Sequence, residues 1–246
     1  MRLFGLIGYP LTHSFSEKYF TEKFKREKIS DARYMLFPMK EISDFASLIK
    51  RYNFSGMNVT IPFKTSVMGL LDEIDEEAAA VGAVNTIKFI KSSDKLISKG
   101  YNTDIFGFEK LADKFVLPPN TRALILGTGG GSKAVAYVLK KRNIPYSLVS
   151  RNPVDPAYSY QSLTKEIISG HQLIINTTPL GMFPEVDTFP DIPYSCISPG
   201  HVCIDLVYNP EMTAFLMKCG HRKAAVVNGM EMLYAQAERS WEIWNK

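Results

Sequence analysis

The sequence predicts an α/β protein built from two units, and three observations carry that expectation. Roughly the first 100 residues alternate strand-like and helix-like runs, the rhythm of a parallel or mixed sheet covered by helices. Residues 123–142 then give strand, glycine loop and helix in that order. Further alternation beyond them completes a doubly wound layout.

The elements follow from periodicity and punctuation. Residues 2–7 read as a strand stopped by Gly8-Tyr9-Pro10, and residues 17–28 as a charged helix with Phe20 and Phe24 one turn apart. Residues 34–37 read as a short strand. Ile42, Phe45, Leu48, Ile49 and Tyr52 recur at helical spacing within 40–52. Residues 57–60 form a strand cut off by Pro62. Val67, Leu70, Leu71 and Ile74 predict another helix, and residues 84–90 another strand. A second unit begins near residue 104 with a connecting helix over 106–115, closed by Pro118-Pro119-Asn120. Strands are expected at 123–126, 146–150, 172–176, 202–206 and 224–227, with helices at 133–142, 163–168 and 212–218. Residues 231–244 read as a long helix with Leu233, Ala237 and Trp241 on one face. No internal repeat or low-complexity segment is evident.

Composition narrows the function. The chain has 246 residues, is 46% hydrophobic and carries a net charge of +4, with acids and bases mixed along its length. No basic block tracks a phosphate backbone, so nucleic acid is not an expected partner. No run is long and apolar enough to span a bilayer, and no signal peptide is evident. Cys196, Cys203 and Cys219 form no CxxC, which points to reduced thiols in a cytoplasmic protein.

Two charged residues forty positions apart carry the chemistry: Lys64 in Asn58-Val59-Thr60-Ile61-Pro62-Phe63-Lys64, and Asp104 in Asn102-Thr103-Asp104. An ammonium beside a carboxylate, next to a hydride carrier, suits reversible alcohol–ketone chemistry. Taken singly, Lys64 is also a plausible solvated lysine and Asp104 a plausible helix N-cap. Gly127-Thr128-Gly129-Gly130-Gly131-Ser132 follows a strand and precedes a helix. Gly127 and Gly129 fit the first two glycines of a dinucleotide fingerprint, and Ser132 takes the small third position. The next strand ends Val149-Ser150-Arg151-Asn152, without the acid that an NAD site places there. Arg151 can pair with a 2′-phosphate, so NADP is expected over NAD.

Taken together, these segments resemble the shikimate dehydrogenase family over almost the whole chain. The resemblance rests on Ser14-Phe15-Ser16, the segment ending at Lys64, Gly82-Ala83-Val84-Asn85-Thr86, the segment ending at Asp104, and the glycine loop. It continues through Asn176-Thr177-Thr178-Pro179-Leu180-Gly181-Met182, Asp205-Leu206-Val207-Tyr208-Asn209-Pro210 and Asn228-Gly229-Met230-Glu231-Met232-Leu233, with Gln236. It implies an N-terminal mixed-sheet substrate domain (1–103) plus a doubly wound Rossmann NADP-binding domain (104–228). A C-terminal helix (229–246) would return to the first domain. The implied reaction is NADPH-dependent reduction of 3-dehydroshikimate to shikimate, in the shikimate pathway of aromatic amino-acid biosynthesis. The protein would be a monomer or homodimer with small-molecule partners and no metal.

The same resemblance assigns roles residue by residue. Lys64 and Asp104 are implied at the reacting hydroxyl. Ser14 and Ser16 are implied to hold the substrate carboxylate; an extended segment would point both hydroxyls one way. Ser14 and Glu17 also spell a capping box. Thr60, Asn85 and Gln236 are implied to hydrogen-bond the substrate, with Tyr208 closing over its carboxylate. The implied NADP(H) site takes in Gly127, Gly129, Gly130, Gly131, Ser132, Arg151, Thr177, Gly229 and Met232, although Met232 fits core packing equally well. His13 has no partner that would make it a base and is read as structural.

The chain departs from the family pattern in places. A second arginine is missing after Arg151, so the phosphate clamp is weaker or borrows Lys133. Glu17 stands where proline is usual, and the stretch between Asn152 and Asn176 is short. Two alternatives to the main reading remain open here: a dual quinate/shikimate dehydrogenase, and a non-catalytic NADP-binding regulator. The joint presence of Lys64 and Asp104 favours an enzyme.

Overall fold

The structure is a computed structural model that describes residues 1–11, 14–92, 95–154 and 156–246. Two compact units divide the chain, Met1–Thr103 with Ala237–Lys246, and Asp104–Gln236.

The first unit contains β1 (Arg2–Gly8), α1 (Phe15–Arg26), β2 (Ala32–Pro38), α2 (Phe45–Arg51) and β3 (Phe54–Val59). After them come β4 (Glu73–Ile74), α3 (Glu76–Val81), β5 (Thr86–Ser92) and β6 (Lys95–Tyr101). Among the described residues these strands form one sheet in the order β2-β1-β3-β5-β6-β4. β1 runs parallel to β2 and β3, whereas β5 is antiparallel to both β3 and β6, so the sheet is mixed. Successive residues of β1 feed opposite faces. Leu3 and Ile7 join Phe45, Met57 and Val67 on one side; Phe4 and Leu6 join Phe20 and Tyr34 on the other.

The second unit opens with α4 (Asp104–Ala112), β7 (Ala123–Leu126), α5 (Gly130–Lys141), β8 (Tyr146–Ser150) and β9 (Tyr158–Ser159). It continues with α6 (Lys165–Ser169), β10 (Leu173–Asn176), β11 (Val202–Asp205), α7 (Ala214–His221), β12 (Ala225–Val227) and α8 (Met230–Asn245). All its strand pairs are parallel, in the order β12-β11-β10-β7-β8-β9. Counted within the unit, β7 and β10 are adjacent central strands whose connections leave in opposite directions. That is the switch point at which doubly wound sheets bind ligands. Both strands are buried along their whole length, as parallel strands covered on two faces must be.

The unit boundary falls within α8, and the last turns of that helix pack on the first unit's sheet. Trp244 stacks on Phe4 at 4.8 Å, and its Nε1 donates to the Ile87 carbonyl at 3.0 Å. A Cβ at Gly56 would lie 2.3 Å from the Trp244 ring, so this seat requires glycine. Lys23 of α1, only 4% exposed, donates to Glu238 at 2.7 Å and to Glu27 at 2.9 Å.

Several elements differ from the sequence expectation. Val67, Leu70, Leu71 and Ile74 do not share a helix: Ser66–Leu70 is a 3-10 turn and Glu73–Ile74 is a strand. The helix starts at Glu76 instead, where Asp75 accepts from the Glu77 N–H, and ends at Gly82 with φ of 68°. An aspartate cap and a left-handed glycine outweigh apolar spacing here. Strands β6 and β9 were not expected. β6 is recruited by its long antiparallel register with β5, and β9 is a two-residue edge strand. No helix among the described residues is long and apolar enough to cross a membrane.

Candidate active site

In the first unit, the expected substrate residues lie where β1 and β3 end and β5 begins. The Thr60 N–H donates to the Ile7 carbonyl at 2.9 Å. A Cβ at Gly8 would sit 2.3 Å from Thr60 Cγ2, so glycine lets the two strand ends close up. The Phe63 N–H donates to the Thr60 carbonyl at 2.9 Å, and buried Phe63 anchors this turn. Lys64 follows, half-buried, and its carbonyl accepts from the Val84 N–H at 2.7 Å. That bond fixes Lys64 against the residue preceding Asn85.

Asn85 is 4% exposed and tightly held. Its Oδ1 accepts from the Thr103 N–H at 2.7 Å, the Thr103 hydroxyl at 3.1 Å and the Thr86 hydroxyl at 3.2 Å. Three donors on one oxygen settle the orientation of the amide, so Nδ2 is the side Asn85 presents as a donor. Asp104 follows Thr103 directly, opens α4 and is 2% exposed.

Ser14 and Ser16 are not set as expected. Ser14 is the N-cap of α1 with extended backbone, but its side chain makes no capping hydrogen bond, so the capping box does not form. Ser16 lies inside the first turn of α1, so the two hydroxyls do not share an extended segment. Phe15, the first residue of α1, stacks on Tyr19 at 5.5 Å, one turn along. The Ser16 hydroxyl instead meets the Tyr34 hydroxyl. His13 lies outside the described residues.

The second unit supplies a dinucleotide cradle. Gly127 has φ of 107°, and a Cβ there would lie 2.9 Å from Thr177 Oγ1, so both conformation and space demand glycine. Gly129 is the N-cap of α5, with no side chain capping that helix and nothing within 4 Å of where its Cβ would be. Open space at an uncapped helix N-terminus is what a pyrophosphate needs, so the residues fit the group. Gly130 opens α5, and a Cβ on Gly131 would only reach the Leu206 side chain, at 3.5 Å. Ser132 is buried and turns its hydroxyl inward to the Gly129 carbonyl at 2.7 Å, shaping the loop from within. The Thr177 hydroxyl donates to the Leu126 carbonyl at 2.7 Å, tying the ends of β10 and β7 together. Arg151 is exposed just beyond β8, whose Val149 carbonyl accepts from the Gly127 N–H at 2.8 Å. The strand-end arginine therefore lies next to the glycine loop.

A buried carboxylate braces the neighbouring loops. Asp205 accepts from Asn176 Nδ2 at 2.9 Å, the Val207 N–H at 3.0 Å and the Thr213 hydroxyl at 2.6 Å. Asn176 Oδ1 in turn accepts from the Thr178 N–H and hydroxyl. Burial pushes the Asp205 carboxyl up to about 6, and the hydrogen bonds hold it below what burial alone would give. Tyr208 follows on the braced loop, and burial raises its hydroxyl above the usual tyrosine value. A Cβ at Gly229 would strike the Leu206 carbonyl at 2.2 Å, so Gly229 permits a close backbone crossing. Met232 is 5% exposed and packs with Gln236 over Gly107 of α4, where a Cβ would meet the Met232 carbonyl at 2.6 Å.

Sequence reasoning gave no role to Tyr34, Asn58, Thr86, Thr103 or Ser240, which the structure joins to Asn85 and Ser16. Asn58, Thr86 and Thr103 lie inside the quoted motifs and could have been flagged there. Ser240 stands one helical turn after Gln236, which was the one available signal for it.

Comparison with known proteins follows the same lines. The family model for the shikimate dehydrogenase substrate binding domain matches residues 6–87. The chain is 39% identical to a shikimate dehydrogenase (NADP(+)) of Methanococcus maripaludis, over 99% of this chain and 91% of that one. It is also similar to the crystal structure of a shikimate dehydrogenase from Peptoclostridium difficile, with a TM-score of 0.87, 36% identity, and coverage of 100% of this chain and 92% of that one. A Thermus thermophilus shikimate 5-dehydrogenase, solved with NADP(H) and shikimate, superposes with a TM-score of 0.85 at 26% identity, over 99% of this chain and 93% of that one.

Proposed function

Since the chain belongs to the shikimate dehydrogenase family, we propose that it catalyses the reversible, NADPH-dependent reduction of 3-dehydroshikimate to shikimate. One observation supports the reading: Asn85 is oriented through Oδ1 by Thr103, and the neighbouring Val84 N–H binds the Lys64 carbonyl.

NADP(H), when bound, supplies or accepts the hydride. Its pyrophosphate would rest on the N-terminus of α5 at Gly129, Gly130 and Gly131, with Gly127, Ser132 and Thr177 shaping the loop, and its 2′-phosphate on Arg151. Gly229 and Met232 would border the nicotinamide, through backbone groups rather than the packed Met232 side chain.

Reduction of a ketone leaves negative charge on its oxygen. The Lys64 ammonium stabilises that charge and delivers a proton from Nζ; in the oxidation direction Nζ receives it. The Asp104 carboxylate orients the ammonium and accepts a hydrogen bond from the substrate hydroxyl. Asn85 donates through Nδ2 to a ring oxygen, because its Oδ1 is already committed. Thr60 and Gln236 hold further ring hydroxyls. Ser14, whose hydroxyl is not spent on capping, and Ser16 hold the carboxylate, and Tyr208 closes over it. We place the enzyme in the cytoplasm, with Cys196, Cys203 and Cys219 as free thiols.

The test is nicotinamide absorbance with purified protein, crossing shikimate and quinate with NADP+ and NAD+. Rapid turnover is expected only for shikimate with NADP+. Equal turnover of quinate overturns the substrate assignment, and no turnover of shikimate overturns the function.

A further inference from the structure

We infer that Ser240, on the last helix, is a positioning residue that sets the hold of Asn85 on the substrate. The inference rests on the reading that Asn85 binds substrate. Ser240 is fully buried, and its Oγ lies 2.8 Å from the Thr86 hydroxyl, 3.0 Å from Asn58 Nδ2 and 3.4 Å from the Thr103 hydroxyl. All of these residues belong to the first unit.

The polar groups around Ser240 form one connected cluster. The Tyr34 hydroxyl donates to Asn58 Oδ1 at 2.9 Å, which turns Asn58 Nδ2 toward Ser240. The Thr86 hydroxyl can donate to Asn85 Oδ1 at 3.2 Å. At the 2.8 Å contact either hydroxyl can donate, and Thr86 also accepts from Asn58 Nδ2 at 3.1 Å. Ser240 in turn accepts from Asn58. The contacts therefore run from the Asn58 amide to Ser240 and Thr86, between the Ser240 and Thr86 hydroxyls, and from the Thr86 hydroxyl to Asn85. At the far end, the Tyr34 hydroxyl meets Ser16. One network thus joins a serine implied at the substrate carboxylate to the asparagine implied at a ring oxygen, with Ser240 as the link supplied by the last helix.

Loss of the Ser240 hydroxyl removes one acceptor of the Asn58 amide and the closest hydroxyl partner of Thr86, which keeps the Asn58 Nδ2 donor at 3.1 Å. The Thr86 hydroxyl is then less tightly fixed, and its share with Thr103 in orienting the Asn85 amide weakens. A buried serine that only filled space would change stability without favouring one substrate over the other.

The experiment compares wild type, Ser240→Ala, Ser240→Cys and Thr86→Val in steady-state oxidation of shikimate by NADP+, with thermal melts of each. For Ser240→Ala, KM for shikimate should rise roughly fivefold to tenfold, the loss of one hydrogen bond, while kcat and the KM for NADP+ change by less than about twofold. Ser240→Cys, a weaker donor, should fall between, and Thr86→Val should match Ser240→Ala. If Ser240→Ala does not fold, Thr86→Val decides on the same split. An unchanged KM for shikimate, or equal rises in both KM values, overturns the inference while the function stands. A wild-type enzyme that does not oxidise shikimate overturns the functional reading, and the inference with it.

Discussion

The side-chain oxygen of Asn85 accepts the backbone N–H of Thr103 at 2.7 Å, one residue before Asp104. The amide proposed to meet the substrate is thereby held by the residue at which the first unit's 1–103 stretch ends. Asn85→Asp keeps an acceptor for Thr103 but loses the Nδ2 donor. The expected outcome is a folded enzyme whose kcat/KM for shikimate falls roughly 30- to 100-fold, as for a lost polar contact with a buried group left unpaired. Steady-state kinetics with a circular dichroism control check this. A fall of less than about threefold would show that Asn85 serves the fold alone.

Arg151 is the cofactor-selecting residue in this account. Arg151→Ala should raise KM for NADP+ by roughly tenfold or more, the loss of a charge-assisted contact, while KM for NAD+ moves by less than about twofold. Parallel assays with the two nucleotides measure it. Equal rises would remove the phosphate role.

Asp205 predicts a pH signature. Its carboxyl is raised from 3.8 to about 6 in the folded protein by burial. A raised acid contributes stability that is present below the unfolded value and is lost as pH rises through the folded one. From about pH 3 to about pH 7 the stability of wild type relative to Asp205→Asn should fall by about 3 kcal/mol, following the linkage of the two values. Denaturant melts at several pH values supply the difference curve. A flat curve would mean that the three hydrogen bonds cancel the cost of burial.

Lys23 and Glu238 form a partly buried pair between α1 and the last turns of α8. Glu238→Gln leaves the Lys23 ammonium under-neutralised and should destabilise by roughly 1–3 kcal/mol. Adding Lys23→Met should recover most of that loss, because an apolar side chain needs no counter-charge. Thermal melts of both proteins test the pair.

The parts of the fold set by local chemistry were legible in the sequence. Strand β7 and the glycine loop announce themselves because Gly127 needs φ of 107° and lies against Thr177. The start of α5 was placed three residues late, since Gly129 caps it without a side chain that could be read. Ser14 marks the start of α1 by its residue type, yet its hydroxyl does not cap, and Ser16 is helical rather than extended. Residues 66–74 misled because apolar spacing ignores the Asp75 cap that starts the helix later. The motifs around Lys64, Asn85 and Asp104 stand out in the sequence because each is contiguous. The links from Tyr34 and Ser240 were hidden, because they come from opposite ends of the chain and meet only through tertiary packing.

We propose that Lys64 acts on charge developing at the reacting oxygen rather than on binding. Shikimate oxidation by Lys64→Ala, measured at saturating NADP+, tests it most directly. The expected result is a kcat lower by roughly 1,000-fold or more, with KM for shikimate within about fivefold of wild type, as for an interaction made chiefly in the transition state. A preserved kcat with a large rise in KM would contradict it and make Lys64 a binding residue.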